Sequence, residues 1–333
     1  MSVVITAYNR KAFLMRALHS LGNLKLNDIE IEVIVVKNFS EDTIDDYLQS
    51  IQAKIIIGGE TPLCSYVYLG IINSTGKYLF FLEDDDLFFD NKISYVTNLM
   101  DSRQIDYYHN AYVAVNESLY PINSLLYRNT KKPVIVVKEP RTVSMIRGLM
   151  RIKGDINLSS ICISRELVER SQQIDFLKEV SAGPDWFLFY LGIQNGDALY
   201  FDDKILTRYL IHESTANTKS ETIEGFINKR IYLLTKEVKS LLVMLMLFSS
   251  PGIQETIKRR ITTDLLQVKI IGYTPNILFP EIKVPSILTG VRRDLFGVAI
   301  IFIFLVHKIS TRVSVWIYSN ILQRLVFGKS FLR

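Results

Sequence analysis

Over its first ninety residues the chain switches between two periods of hydrophobic and polar positions. Four short runs are almost continuously apolar: VVIT at 3–6, EVIVV at 32–36, KIII at 54–57 and KYLFFL at 77–82. Each is too short for a helix and lacks the alternation of a strand wetted on one side, so each predicts a strand buried on both faces. Between them apolar residues recur at helical spacing. Phe13, Leu14, Ala17, Leu18 and Leu21 share one face. Ser40 is placed to cap a helix running to Gln49, with Ile44 and Leu48 on its buried side. After Pro62, Tyr66, Leu69, Gly70 and Asn73 mark a third helix, which Gly76 should end. The order β-α-β-α-β-α-β predicts a parallel sheet covered by helices on both faces. Ligands of such sheets bind beyond the carboxyl ends of the strands.

From about residue 105 the pattern changes. DYYHNAYVAVN and VIVVK (134–138) predict strands, 141–152 a helix, SICIS (160–164) a short strand, and RELVERSQQ another helix. PDWFLFYLGIQ (184–194) is an apolar helix opened by Pro184. The turn signal Asn195-Gly196 then leads into extended chain, ALYFDDKILTRYL. No internal repeat is visible. The segment 221–333 is different again, with two continuous apolar runs, LLVMLMLF (241–248) and LFGVAIIFIFLV (295–306). Neither reaches the roughly 20 residues of a membrane-spanning helix.

Composition adds three constraints. A chain of 333 residues that is 48% hydrophobic can bury a large core, and its length suits one large domain with an extension, or two domains. Cys64 and Cys162 provide neither a metal-ligand spacing nor a disulfide framework, as suits a reducing compartment. The strand pattern begins at Ser2, so no signal peptide or anchor is expected at this end. The net charge of +5 conceals an asymmetry. Residues 1–220 carry 23 Lys and Arg against 27 Asp and Glu, whereas 221–333 carry 16 against 7. In the basic part Arg292, Arg293, Lys308, Arg312 and Arg324 lie among the apolar runs, with Trp316 and Tyr318 nearby. Basic flanks on short apolar helices fit an interface with anionic lipid better than nucleic acid. The rival is a soluble helical domain whose core includes those runs.

The chemistry gathers at strand ends. TAYNR follows the first strand, and EDDD (Glu83, Asp84, Asp85, Asp86) follows the fourth, between apolar runs that aim it at the sheet rim. Adjacent acids beside buried residues call for a cation. Taken alone, the cluster could also be a solvated turn favouring the next helix's N-terminus. VVITAYNR, EVIVVKNFSEDT, LGIINSTGKYLFFLEDDDLF, GPDWFLFYL and RYLIHESTAN occur in one order and spacing over roughly residues 2 to 217. In that arrangement the chain resembles the family 2 glycosyltransferases.

The resemblance implies a GT-A fold, Rossmann-like and nucleotide-sugar-binding, over 1–220; 221–333 lies outside the match, and its apolar runs and basic charge make it a helical, membrane-associated extension as an expectation. It also implies an inverting enzyme that uses a nucleoside-diphosphate sugar with Mn²⁺ or Mg²⁺. Thr6, Ala7 and Tyr8 would lie along the nucleotide base, with Tyr8 able to stack on it. Asn38 could hydrogen-bond a base edge where the family usually has paired acids, whereas Lys37 cannot copy an acid. Asp85 would hold the metal, and Glu83, in place of the more usual Asp, would touch metal or ribose, with Asp84 and Asp86 as secondary contributors. His212 could approach the metal or diphosphate, or be structural. Asp185 would be the base that deprotonates the acceptor hydroxyl, although an acid in a helix's first turn also suits the dipole.

The activity so implied moves a sugar to a hydroxyl of a lipid-linked glycan or polysaccharide at the cytoplasmic face of a membrane. A polyprenyl-phosphate acceptor is the runner-up on the same fold and would need no base. A sugar nucleotidyltransferase would want a glycine-rich loop after the first strand, and TAYNRKAF has no glycine. A non-catalytic binding module would not need both the acid cluster and Asp185.

Overall fold

The computed structural model describes residues 1–22, 29–122, 134–137, 141–212, 222–273 and 295–327. They fall into two compact units, one within Met1–Pro121 and Asn129–Leu210, the other within Ile122–Arg128 and Ile211–Arg333.

The first unit is a mixed α/β structure built on one sheet. Strands β1 (Ser2–Ala7), β2 (Glu32–Lys37), β3 (Lys54–Ile57) and β4 (Tyr78–Glu83) run parallel in the order β3-β2-β1-β4. Their crossovers are α1 (Lys11–Gly22), α2 (Asp42–Ser50) and α3 (Leu63–Ile72). Val3, Val4 and Ile5 of β1, Ile34, Val35 and Val36 of β2, and Leu79 to Leu82 of β4 are all buried, which is why these runs show no alternation. Leu14, Ala17 and Leu18 form the buried face of α1, and Ile44 and Leu48 that of α2.

Three local readings need correction. The cap of α2 is Glu41, not Ser40: its carboxylate accepts the Ile44 N–H at 3.0 Å, while its own N–H donates to Asp45 at 3.3 Å. The third helix ends at Ile72 with Asn73 as its cap. Gly76 lies beyond it, where the backbone passes so close to β1 that a Cβ would sit 2.5 Å from the Ser2 nitrogen. The helix after SICIS is also shorter than its sequence suggests and ends at Arg170.

Beyond β4 the sheet changes direction. A two-residue strand β5 (Leu87–Phe88) follows the acid cluster, then α4 (Lys92–Arg103) and β6 (Tyr107–Val115). Next come β7 (Val134–Val137), α5 (Val143–Arg151), a 3₁₀ turn (Leu158–Ser160), β8 (Ile161–Ser164) and α6 (Arg165–Arg170). A second 3₁₀ turn (Ile174–Glu179), α7 (Pro184–Asn195) and β9 (Ala198–Leu210) complete the unit. β8 lies antiparallel to both β4 and β6, β9 runs parallel to β6, and β5 and β7 pair antiparallel with β9.

The second unit is helical. α8 (Ile223–Leu247) packs on α9 (Pro251–Ile270), and α10 (Leu295–His307) packs on α9 and on α11 (Thr311–Phe327). Its core includes Phe226, Leu234, Leu266, Ile300, Ile303 and Tyr318. Half-buried Arg230 donates to Tyr318 Oη at 3.0 Å and to Gln267 Oε1 at 2.7 Å. The apolar runs are partly buried within the structure: Ile300 and Ile303 of the second join this core, and Leu241, Met244 and Phe248 of the first are buried too. Among the described residues no helix is long and apolar enough to cross a membrane.

Candidate active site

The register between β1 and β4 sets the site. Thr6 lies opposite Glu83, so the polar residues that follow each strand emerge side by side on the carboxyl rim. The Asp84 N–H extends the pairing to the Thr6 carbonyl at 3.1 Å. The four acids then diverge. Asp84 is fully buried and turned toward β1, where its carboxylate accepts the Tyr8 N–H at 3.3 Å and pairs with Arg10 at 2.6 Å. Arg10 also pairs with Asp85 and so clamps the two strand ends together. Asp86, likewise fully buried, accepts the Leu210 N–H at 3.0 Å at the end of β9. Glu83 and Asp85 are the two partly open to solvent.

Asp185 comes to the same place from α7. Gly183 caps that helix at φ +77°, and a Cβ there would lie 2.5 Å from the Trp186 ring, so the chain can enter the helix this way only at glycine. The Asp185 carboxylate accepts N–H bonds from Asn157 at 3.1 Å and Trp186 at 3.0 Å, which fix its orientation. Burial pushes the Glu83 carboxyl well above the usual carboxylate range. The charges of Asp85, Asp86 and Asp185 push the same way, and Arg10 opposes them. Glu83, Asp85 and Asp185 thus form one electrostatic cluster with an excess of negative charge.

A second polar cluster occupies the ends of β1, β2 and β3. The Asn9 N–H donates to Asn38 Oδ1 at 2.9 Å, and Asn38 Nδ2 donates to Asn9 Oδ1 at 3.0 Å and Glu60 Oε1 at 3.2 Å. The Tyr8 hydroxyl bonds the other Glu60 oxygen. Tyr8 is 39% exposed and its ring is 6.1 Å from that of Tyr66, so it presents an aromatic surface at this rim. Thr6 and Ala7 are buried, so of the three predicted base contacts only Tyr8 presents a surface at this rim. Glu60 is the residue that sequence reasoning missed. Its signal was position alone: an acid just beyond the third strand, on the rim where the other two strand ends had already drawn attention. Lys37 turns inward instead, buried and paired with Asp45 of α2 at 2.7 Å.

Tyr66 is core, and Tyr68 bonds Asp175 at 3.3 Å. The Arg208 guanidinium stacks 4.0 Å above the Phe89 ring. His212 is buried and belongs to the second unit.

The donor set suits a hard divalent cation shared with a substrate. The excess carboxylate charge around Glu83 favours a cation, and Glu83 and Asp85 offer oxygen ligands. Among the described residues no three His, Cys, Asp or Glu side chains converge on a metal-sized space. An ion here would therefore take one or two carboxylates from the protein and the rest from a diphosphate and water.

Comparison with known proteins bears on the family and the fold. Residues 2–151 match the family model "Glycosyl transferase family 2". An uncharacterised glycosyltransferase of Rickettsia prowazekii is 27% identical over 252 residues, covering 71% of this chain and 73% of that protein. One from Rickettsia bellii is 29% identical over 159 residues, but only 23% of its length is covered. Among solved structures, S. aureus TarS 1-349 in complex with UDP-GlcNAc superposes with a TM-score of 0.55 at 13% identity, over 98% of this chain and 92% of that one. The UDP complex gives 0.52 at 12% identity over 92% and 90%. Against the longer TarS chain, 55% of that protein is spanned. At this identity the likeness is one of fold. Residues 2–151 thus match the family 2 glycosyltransferases, and the chain is a glycosyltransferase similar to these relatives.

Proposed function

We propose that the enzyme inverts the anomeric centre, moving one sugar from a nucleoside-diphosphate donor to a hydroxyl of a lipid-linked glycan or polysaccharide. The observation that carries this reading is the meeting of Glu83 and Asp85 with Asp185 at one rim, two acids for the leaving diphosphate and one for the acceptor. Tyr8, Asn38 and Glu60 line the base end, where Tyr8 can stack and the polar pair can read a base edge. Glu83 and Asp85 would hold Mn²⁺ or Mg²⁺, which when bound supplies Lewis-acid stabilisation to the departing diphosphate. Asp185, held by two N–H donors, accepts the proton of the acceptor hydroxyl as that oxygen attacks from the face opposite the leaving group. Trp186 shapes the acceptor side.

TarS neighbours bind UDP and UDP-GlcNAc, so a UDP-linked N-acetylhexosamine is the first donor to try. The test is thermal melting of the full chain with Mn²⁺ and a panel of nucleotide sugars, followed by transfer assays on those that stabilise it. At 100 times its Kd a ligand adds about 2.7 kcal/mol. For a unit of this size that is a rise of roughly 5–10 °C. A panel in which no donor raises the melting point or is consumed would sink the reading.

The second unit holds the enzyme at the cytoplasmic face of a membrane in this proposal. Val298, Phe302 and Leu305 of α10, Ile309, and Val313 and Trp316 of α11 are exposed large apolar residues, with Lys308 and Arg312 among them. Such a surface suits shallow insertion beside anionic head groups. Full-length protein should float with anionic liposomes and lose that behaviour when Phe302, Ile309 and Trp316 are changed together to Ser. Protein that ignores such liposomes would leave the second unit as a soluble helical domain.

A further inference from the structure

A network of polar side chains with almost no access to solvent lies within the first unit. Lys92 opens α4, Asn110 is in β6, Thr207 is in β9, and Asn157, Ser159 and Ser160 form the turn before β8; all six are buried. Thr207 Oγ1 is the hub. It accepts from Lys92 Nζ at 2.9 Å and from Asn110 Nδ2 at 3.0 Å, and donates to the Ser159 carbonyl at 3.1 Å. Lys92 Nζ also donates to that carbonyl, and its ammonium sits 3.8 Å from the centre of the Phe88 ring. Asn110 and Asn157 both donate to Ser160 Oγ, at 3.3 and 3.0 Å. Burial pushes the Lys92 amine down to about 7, against the pull of Cys162 and Asp86.

Buried polar groups are costly to leave half-paired, and a core strand or helix start could hold apolar residues at these places. What the network touches gives it a use. The 157–160 turn reaches the candidate active site at two points: Ser159 Oγ accepts the Glu83 N–H at 2.9 Å, and the Asn157 N–H donates to Asp185 at 3.1 Å. Three residues thus span from the backbone of the acid motif to the carboxylate of the base. Asn157 adopts φ +76°, outside the usual range for a side-chain-bearing residue, and its Oδ1 accepts the Ser159 N–H at 3.0 Å. A turn in that conformation needs support, and the buried network supplies it from beneath.

We propose that Thr207, Lys92 and Asn110 are positioning residues that brace the 157–160 turn and, through it, fix Asp185 relative to Glu83. None of the three touches substrate in this scheme; they act through the turn. The inference rests on Asp185 and the acid motif serving one reaction, as proposed above. Misplacement of a reacting group by about 1 Å can cost on the order of 100-fold in rate.

The test uses Thr207→Val, which keeps the shape of the side chain and removes its hydroxyl, beside Thr207→Ser, which keeps the hydroxyl. Steady-state nucleotide release by the full chain is measured with Mn²⁺ and UDP-N-acetylglucosamine. Should that donor leave the melting point unmoved, the panel nucleotide sugar that raises it most replaces it. Thr207→Val should lower kcat by about 10- to 100-fold, with donor KM and UDP affinity within about twofold of wild type, and Thr207→Ser should recover most of the rate. A merely structural role predicts a lower melting point and an unchanged kcat per folded molecule, and that result overturns the inference. So does loss of rate and UDP affinity together, or a Ser variant no better than Val. If Thr207→Val does not fold, Ser160→Ala removes a single hydroxyl from the same network and should show the same split; a wild-type kcat there overturns the proposal equally. A wild-type enzyme that consumes no donor in the panel instead overturns the functional reading beneath it.

Discussion

Replacing Asp185 by Asn separates the base from every other role the residue could have. The two carboxylate oxygens accept from Asn157 N–H at 3.1 Å and Trp186 N–H at 3.0 Å. An amide offers one acceptor oxygen, so its NH₂ must face one of these donors. The Asn157 backbone is buried and Trp186 is only half-buried, so the oxygen should stay with Asn157 and the mismatch fall on the wetter side. An unsatisfied buried donor costs about 1–3 kcal/mol, and partial access to water puts this one near the lower end. Losing one negative charge beside Glu83, Asp85 and Asp86 offsets part of that cost. The melting point should therefore fall by only about 2–4 °C. Loss of a general base costs about 10²–10⁴ in rate, equivalent to about 3–5 kcal/mol of barrier. The expected signature is a catalytic loss well above the stability loss, with UDP affinity unchanged, read by initial rates and nucleotide titration on the same preparation. A variant that keeps more than a tenth of the wild-type rate refutes the base assignment. One that folds but no longer binds nucleotide moves Asp185 to the donor site.

Three further outcomes are expected. Asp85→Ala should abolish transfer, as should EDTA on the wild-type enzyme, and undiminished activity in EDTA would remove the metal from the mechanism. Glu60→Gln should raise donor KM about tenfold while kcat stays near wild type, because a charge-assisted hydrogen bond at the base end is worth about 1.5–3 kcal/mol; an unchanged KM would return Glu60 to a structural role. Buried His109 bonds the Ile156 carbonyl through Nε2 at 2.8 Å, so the neutral ring carries its proton there, and burial lowers its pKa to about 4 despite the pull of Asp155, with Lys92 acting in the same direction as burial. The unfolded chain takes up this proton near pH 6.5, so the contribution is present above that pH and is lost as pH falls toward 4, by up to about 3 kcal/mol. Denaturant unfolding from pH 7.5 to 4.5 should show a steeper loss for wild type than for His109→Gln, and parallel curves would refute it.

The parts of this molecule that were legible in its sequence are those in which burial alone decides. Strands β1, β2 and β4 are covered on both faces, so their apolar runs announce them, whereas the edge strand β3 leaves Lys54 and Ile57 exposed and its apolar run overstates its burial. Direction and pairing carry no such mark: ICIS reads as a strand, yet nothing in its four residues says that it lies antiparallel between β4 and β6. Leu87–Phe88 is too short to have a period, and only β9 makes it a strand. The cap of α2 was misplaced by one residue because serine outranks glutamate by propensity, whereas the longer Glu41 side chain reaches Ile44 and its N–H meets Asp45.

The site divides along a similar line. Acids at a strand end are conspicuous in any linear reading. Asn157, Ser159 and Thr207 are ordinary residue types, and only the fold joins them into one network. The end proposed to hold the base shows how residue type can mislead. Lys37-Asn38 stands where relatives usually place acids, which reads as the loss of a carboxylate from the rim. The fold withdraws Lys37 into the interior, where Asp45 neutralises it, and brings Glu60 from the end of the third strand to hydrogen-bond Asn38 and Tyr8. Because adjacent parallel strands end at one rim, a carboxylate can be supplied from the neighbouring strand while the surface offered to a base keeps its acidic character. An acid absent from one strand end is therefore evidence about the site only after the ends beside it have been counted.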